Sequence, residues 1–354
     1  MAEEIPQFTP INLLTGFLGS GKTTLLRRLL VDPRLARTAV LINEFGEIGL
    51  DHQLLERIDE TMVLLQSGCV CCTIRGELAQ SLRDLLHRRE RRLIPAFDRV
   101  VVESTGLADP FPILSTIKAD PVLRHHFRAG TVIATVDAVN GLTQIATHPE
   151  STRQAAIADR LVLTKTDLAD EVRVARLLDA LRQLNPDAPL VRAADEAVDA
   201  DMILGDAQSG TNVSTRAWLR TNFRSDDPGA DETASEISLA GHRDGQSGRI
   251  RSFALEFNEP LDWTAFGVWL TMLLNRHGDK VLRVKGILDL VGEDAPVAIH
   301  GVQHLVHTPV HMTAWPDADR RSRIVFIVDE LDPQLIKRSL AAFNQLAQPV
   351  VEPL

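Results

Sequence analysis

Between residues 10 and 195 the chain alternates two textures. Short apolar runs rich in Val, Ile and Leu recur as INLLTG, AVLINE, TMVLLQ, RVVVES, TVIATVD, RLVLTK and PLVRA. Runs this continuous suit strands buried on both faces, as in a parallel sheet. Between them, TTLLRRLL, ELAQSLRDLLHR and EVRVARLLDALRQL return an apolar residue every three or four positions, which predicts amphipathic helices. Strand and helix in alternation imply crossover units on a mainly parallel sheet, so the first part of the chain is expected to be an α/β domain.

The texture changes at about 222–250, where NFRSDDPGADETASEISLAGHRDGQSGR is polar, rich in Gly, Ser and Asp, and without sustained periodicity. Beyond it come strand patterns in RSFALEF, KVLRVKGILDLVG, PVAIHGVQHLV and SRIVFIVDEL, a helical pattern in DWTAFGVWLTMLLNRHG, and a last helix from Asp332. The expected organisation is an α/β domain over 1–222, a flexible linker over 223–250, and a smaller α+β domain over 251–354.

Three motifs in the first domain carry chemistry. GFLGSGKT, residues 16–23, follows a strand and opens a helix, the context of a phosphate-binding P-loop. Gly16, Gly19 and Gly21 let the backbone wrap around phosphate oxygens with its N–H groups inward. Lys22 places a charge on the β and γ phosphates, Thr23 offers a hydroxyl to Mg²⁺, and Ser20 and Thr24 complete the nucleotide-binding set. RVVVESTG, 99–106, brings Glu103 to a strand end, as a Mg²⁺-linked or water-orienting carboxylate, with Gly106 allowing a backbone N–H near the γ-phosphate. Lys22 and Glu103 are therefore the candidate catalytic pair.

RLVLTKTDL, 160–168, addresses the base. The Asp167 carboxylate can accept from both N1–H and the 2-amino group of guanine, with the Lys165 stem over the ring. Thr164 stands where such motifs usually have Asn, a departure that removes an amide donor to the base and the loop.

All three cysteines of the 354-residue chain, Cys69, Cys71 and Cys72, fall in GCVCC. An odd, clustered trio is no disulfide framework, and with no secretory leader or membrane-length apolar run visible the expectation is a reduced, cytoplasmic protein. Cys-x-Cys spacing can turn two thiolates to one side, and soft thiolates favour Zn²⁺, Co²⁺ or Ni²⁺. Redox sensing and a merely buried thiol cluster remain alternatives. The net charge of −10, from 38 basic and 48 acidic residues, speaks against a nucleic-acid partner. The basic run HRRERR suits a helix C-terminus.

In this order and spacing, GFLGSGKTT, NEFGEIGLD, GCVCCTIRGEL, ESTGLADP and LTKTDL resemble the CobW-like P-loop GTPase family, related to the UreG and HypB maturation GTPases. TKTD is the form found in the family's YjiA-type members. KGILDL, IHGVQHL and SRIVFI resemble the family's second domain, so the likeness covers nearly the whole chain. The resemblance implies a Mg²⁺-dependent GTPase that hydrolyses GTP to GDP and phosphate and delivers a divalent transition metal to a client metalloprotein. It implies cargo ligation by Cys69, Cys71 and Cys72, a first switch in NEFGEIGLD, and Glu44 and Glu47 as candidate metal-linked carboxylates. No nucleic-acid or membrane partner is expected, and the oligomeric state is open. Two rival readings are a thiol-based metal store or sensor with structural nucleotide, and a P-loop small-molecule kinase. The interdomain stretch has a single histidine, His242, against the family's frequent histidine-rich tract. His300, His304, His307 and His311 fall among strand-forming residues, which would divide them between faces.

Overall fold

A computed structural model describes residues 8–42, 63–66, 74–194, 200–205, 238–240 and 249–347. The chain divides into two compact units, Met1–Ala180 with Ala188–Ala207, and Leu181–Asp187 with Gln208–Leu354.

The first unit is built on seven strands: β1 (Thr9–Gly16), β2 (Thr38–Ile42), β3 (Val63–Gln66), β4 (Arg99–Glu103), β5 (Phe127–Asp137), β6 (Arg160–Thr164) and β7 (Leu190–Arg192). They lie in the order β3-β2-β4-β1-β5-β6-β7, and every pairing is parallel. All seven coincide with the apolar runs. Burial on both faces removes any alternation, and every residue of β2 is buried.

Helices α1 (Lys22–Leu30), α2 (Ile74–Glu90) and α6 (Glu171–Leu184) match the periodic stretches, and Arg88 and Arg89 occupy the last turn of α2 as its C-terminal dipole favours. Helices α3 (Pro110–Ala119), α4 (Gly141–Thr147) and α5 (Pro149–Ile157) fall outside those stretches. They are short, and local chemistry starts two of them. Asp109 accepts from the Phe111 N–H at the head of α3, and both α3 and α5 have proline in the first turn, where no N–H is needed. A further short helix, α7 (Ala200–Leu204), packs its Ile203 and Leu204 into one cluster with Leu25, Leu26 and Leu29 of α1 and with Leu14, Val101 and Val162 of the sheet.

Strand order reverses around β1, whose neighbours are β4 and β5. In open α/β sheets such a switch point leaves a crevice at the strands' C-terminal ends. Register decides what meets there. Leu14 is opposite Glu103, Gly16 opposite Thr135, and Asp137 opposite Thr164. The ends of four strands, and the motifs they carry, therefore share one edge.

The second unit is an antiparallel sheet of β8 (Ser238–Ala240), β9 (Ile250–Phe257), β10 (Val281–Leu288), β11 (Val297–Val302), β12 (Leu305–Val306), β13 (Val310–His311) and β14 (Ser322–Asp329). The order is β12-β11-β10-β14-β9-β8, with β13 on β11. β8 lies inside the stretch expected to be linker and pairs with β9, so Ser238–Ala240 extends the sheet; the linker's other residues up to 248 lie outside those described. Helices α8 (Trp263–His277) and α9 (Pro333–Ala347) pack Trp269, Leu270 and Leu340 against Phe253, Leu255 and Phe326. Among the described residues no helix is long and apolar enough to cross a membrane.

Trp269 is 1% exposed, meets the Phe326 ring edge-on at 6.3 Å, and donates its indole N–H to Ser339 Oγ at 2.9 Å. Truncation to alanine should destabilise the second unit by about 3–5 kcal/mol, and phenylalanine by less. Chemical denaturation of both variants, followed by fluorescence and far-UV circular dichroism, measures the difference.

Candidate functional site

β1 ends at Gly16, and the chain turns through 17–21 into α1. Gly16, Gly19 and Gly21 all have positive φ, at 139°, 69° and 87°. At Gly16 space forbids a side chain too, because a Cβ would lie 2.3 Å from Thr135 Oγ1 and 2.5 Å from Thr135 O. The Lys22 side chain folds back over this turn. Its ammonium donates to the carbonyls of Gly16 at 3.0 Å and Phe17 at 3.3 Å, partners that a buried charge requires. Thr24 is exposed one turn into α1.

A ladder of hydroxyls locks the turn to its neighbours. Thr135 Oγ1 donates to Thr15 O at 3.3 Å, so Ser20 Oγ, 2.6 Å away, is the donor to Thr135. Ser104 Oγ donates to Thr15 Oγ1 at 3.0 Å. Thr164 Oγ1 donates to Ser20 O at 2.7 Å. That last bond corrects the expectation for Thr164: a donor to the loop is retained, because the threonine hydroxyl reaches the carbonyl by itself.

Glu103 is 1% exposed at the end of β4, and Thr23 Oγ1 donates to its Oε1 at 2.6 Å. The short distance is that of a charge-assisted bond. Gly106 follows in the next turn, against the phosphate loop, where a Cβ would stand 2.6 Å from Leu18 N.

The base motif is arranged by a residue that motif reading missed. Asp137 ends β5, is 1% exposed, and accepts from Lys165 Nζ at 2.7 Å. Its other oxygen accepts the Val139 N–H at 2.8 Å, and Asn140 Nδ2 donates to the Lys165-bound oxygen at 3.2 Å. Burial pushes the Asp137 carboxyl up, but the bonds from Lys165, Val139 and Asn140 outweigh it and hold the carboxyl below its ordinary value. Lys165 itself is left-handed, with φ of 55°. Asp167, in the turn Thr166–Leu168, is exposed and open to an incoming donor pair. The cue for Asp137 was present in the chain: it is the only carboxylate of TVIATVD and stands at its C-terminal end, as Glu103 does in RVVVES.

The structure thus brings Gly16, Ser20, Lys22, Thr23, Glu103, Gly106, Thr164 and Lys165 to one sheet edge. Cys69, Cys71, Cys72, Glu44 and Glu47 lie outside the described residues. Among the described residues no cluster of three or more His, Cys, Asp or Glu could hold a metal. The four C-terminal histidines do not converge: His300 meets His307 with rings 4.7 Å apart, while His304 pairs with Asp279 at 3.1 Å and His311 approaches Glu293 at 3.9 Å.

Residues 10–192 match the family model described as CobW/HypB/UreG, nucleotide-binding domain, and residues 250–344 match the cobalamin synthesis protein cobW C-terminal domain. The chain is 34% identical to the zinc chaperone YjiA of Escherichia coli over 95% of its own length and 98% of the relative's. It is 28% identical to the zinc chaperone CobW of Pseudomonas aeruginosa, over 94% and 90% of the two chains. The crystal structure of Zn(II)-bound YjiA GTPase from E. coli superposes with a TM-score of 0.68 at 28% identity, covering 96% of this chain and 99% of that one.

Replacing Asp137 by asparagine should loosen Lys165, since a hydrogen bond between charged groups contributes about 1.5–3 kcal/mol. GTP affinity is expected to fall by about tenfold or more, measured by equilibrium titration. The folded-state pKa of Asp137 is depressed, so its stabilisation is present above about pH 4 and is lost as pH falls through the folded value. Acid unfolding of the asparagine variant should lack that component.

Proposed function

Because the chain belongs to the CobW/HypB/UreG family of nucleotide-binding proteins, we propose that it is a GTPase that carries a divalent transition metal to a client metalloprotein. The observation carrying this reading is the shared edge. One register presents a lysine for phosphates, a hydroxyl–carboxylate pair, and an Asp-held lysine for the base.

Thr23 and Glu103 are hard oxygen donors side by side, a pair that fits Mg²⁺ better than a soft metal. When bound, Mg²⁺ supplies neutralisation of charge on the phosphoryl oxygens. The remaining work falls to the chain. Lys22 would leave the Gly16 and Phe17 carbonyls for the β and γ phosphates, a short move of one ammonium. Inward N–H groups of the turn and the start of α1 would bind the phosphates with the helix dipole. Asp167 would take the guanine N1–H and 2-amino protons, while Asp137 keeps the Lys165 stem in place over the ring.

The cargo metal is assigned to Cys69, Cys71 and Cys72, with Glu47 as a carboxylate neighbour in the switch NEFGEIGLD. Thiolates admit Zn²⁺, Co²⁺ and Ni²⁺. The names of both relatives favour zinc. Reduced thiols fit a cytoplasmic protein. GTP would order the switch and the thiol loop, and hydrolysis would release the metal.

Two measurements test this. Asp167→Asn should shift preference from GTP towards the xanthine nucleotide, whose 2-carbonyl can accept from the new amide; an unchanged preference would remove Asp167 from base reading. Metal titration against a competing chelator should show affinity about 5–150-fold tighter with Mg²⁺ and a non-hydrolysable GTP analogue than with GDP. Serine at 69, 71 and 72 together should abolish that high-affinity binding. Equal metal affinity in the two nucleotide states would reduce the thiols to a store or sensor.

A further inference from the structure

Helix α5 grips both segments that face the nucleotide edge, and it does so with residues that no motif includes. Gln154 on α5 is 1% exposed, and its Nε2 donates to the carbonyls of Gly106 and Ala108, each at 3.1 Å. Both partners are acceptors only, so the NH₂ group must face them and the amide orientation is determined. One residue earlier, Arg153 reaches Asp109 at 3.5 Å. At the head of the same helix, the His148 ring stacks on Phe17 of the phosphate turn, with centroids 4.6 Å apart and planes at 29°. Gly106 in turn lies against the backbone of Leu18. The segment after Glu103 is therefore clamped between the phosphate turn and Gln154.

We infer that Gln154, braced by the His148–Phe17 stack, is a positioning residue that sets how strongly this GTPase distinguishes GTP from GDP. The inference rests on the nucleotide occupying the edge described above. Anchoring the Gly106 and Ala108 carbonyls restrains the backbone on one side of Gly106, while Leu18 closes the other. Together they limit how far the Gly106 N–H, in the preceding peptide, can move from the place of a γ-phosphate. GDP has no group there to feel it.

The amide suits one orientation of this segment. Among the described residues Gln154 Oε1 has no hydrogen-bond donor, although it is buried. A buried acceptor without a donor is costly, and the two bonds donated by Nε2 offset that cost. Turning the amide to find a donor for Oε1 would take Nε2 from both the Gly106 and the Ala108 carbonyls, so the two donated bonds hold one orientation. Neither a carboxylate nor an apolar side chain could donate to both carbonyls.

The test compares Gln154→Glu, which keeps the shape and removes the donors, with Gln154→Met, which removes donors and acceptor. Affinities for Mg²⁺–GDP and for a Mg²⁺-bound non-hydrolysable GTP analogue are measured beside the melting temperature. Loss of two neutral hydrogen bonds should weaken the analogue about tenfold, with GDP affinity changed less than about twofold. His148→Ala should lower the same ratio, and His148→Phe, which keeps a stacking ring, should restore it. Equal losses for both nucleotides, or an unchanged ratio in both Gln154 variants, would overturn the inference and leave Gln154 as packing. If the methionine variant does not fold, the glutamate variant decides. Wild-type protein that binds neither guanine nucleotide would instead overturn the assignment of the edge itself.

Discussion

Leu14 stands opposite Glu103 on one side of β1 and opposite Ile133 on the other, with Gly16 reaching Thr135 two residues later. This parallel register is the constraint on which the rest of the first unit depends. Side chains alternate faces along a strand, so a slip of one residue would turn the Glu103 carboxylate away from Thr23 and withdraw Thr135 from Ser20. The register is held by burial. Ile11, Leu13 and Leu14 are each 2% exposed or less, and the facing Val100, Val101 and Val102 are as deeply enclosed.

Against that apolar frame, the polar groups at the strand ends have few ways to be satisfied. Thr15, Ser20, Ser104, Thr135 and Thr164 form one connected set of hydroxyl and carbonyl bonds, and all five are buried. A fully connected network of this kind favours a single arrangement, because each missing bond would leave a buried polar atom exposed to no water. Its effect is to make the phosphate turn a rigid surface. Lys22 and Thr23 sit at its margin with acceptors that other ligands can replace, while Lys165 is held by Asp137.

The second unit is governed by ordinary core packing. One face of its sheet buries Phe253, Leu255, Phe326 and Val328 under Trp269, Leu270 and Leu340 of two helices. His300, His304, His307 and His311 are dispersed over separate pairings.

Much of this was legible in the chain because period and spacing are local properties. Seven strands, three helices, the phosphate turn, Glu103 and the TKTD motif can be read from residues within one element of each other. Helices α3, α4 and α5 are not read so: α3 and α5 start at prolines, α3 with an Asp109 cap, and α4 has neither start, so packing decides them. The linker reading missed β8 for a related reason: three residues acquire strand geometry only from a partner, here β9. Tertiary structure alone decided that Thr164 keeps the bond to the phosphate turn, that Asp137 holds Lys165 across 28 residues of sequence, and that Gln154 reaches Gly106 across 48. These are hydrogen bonds between strand ends and helix starts brought together by sheet register. Composition carries the donors and acceptors, but only the closed fold, by excluding water from them, selects which ones pair.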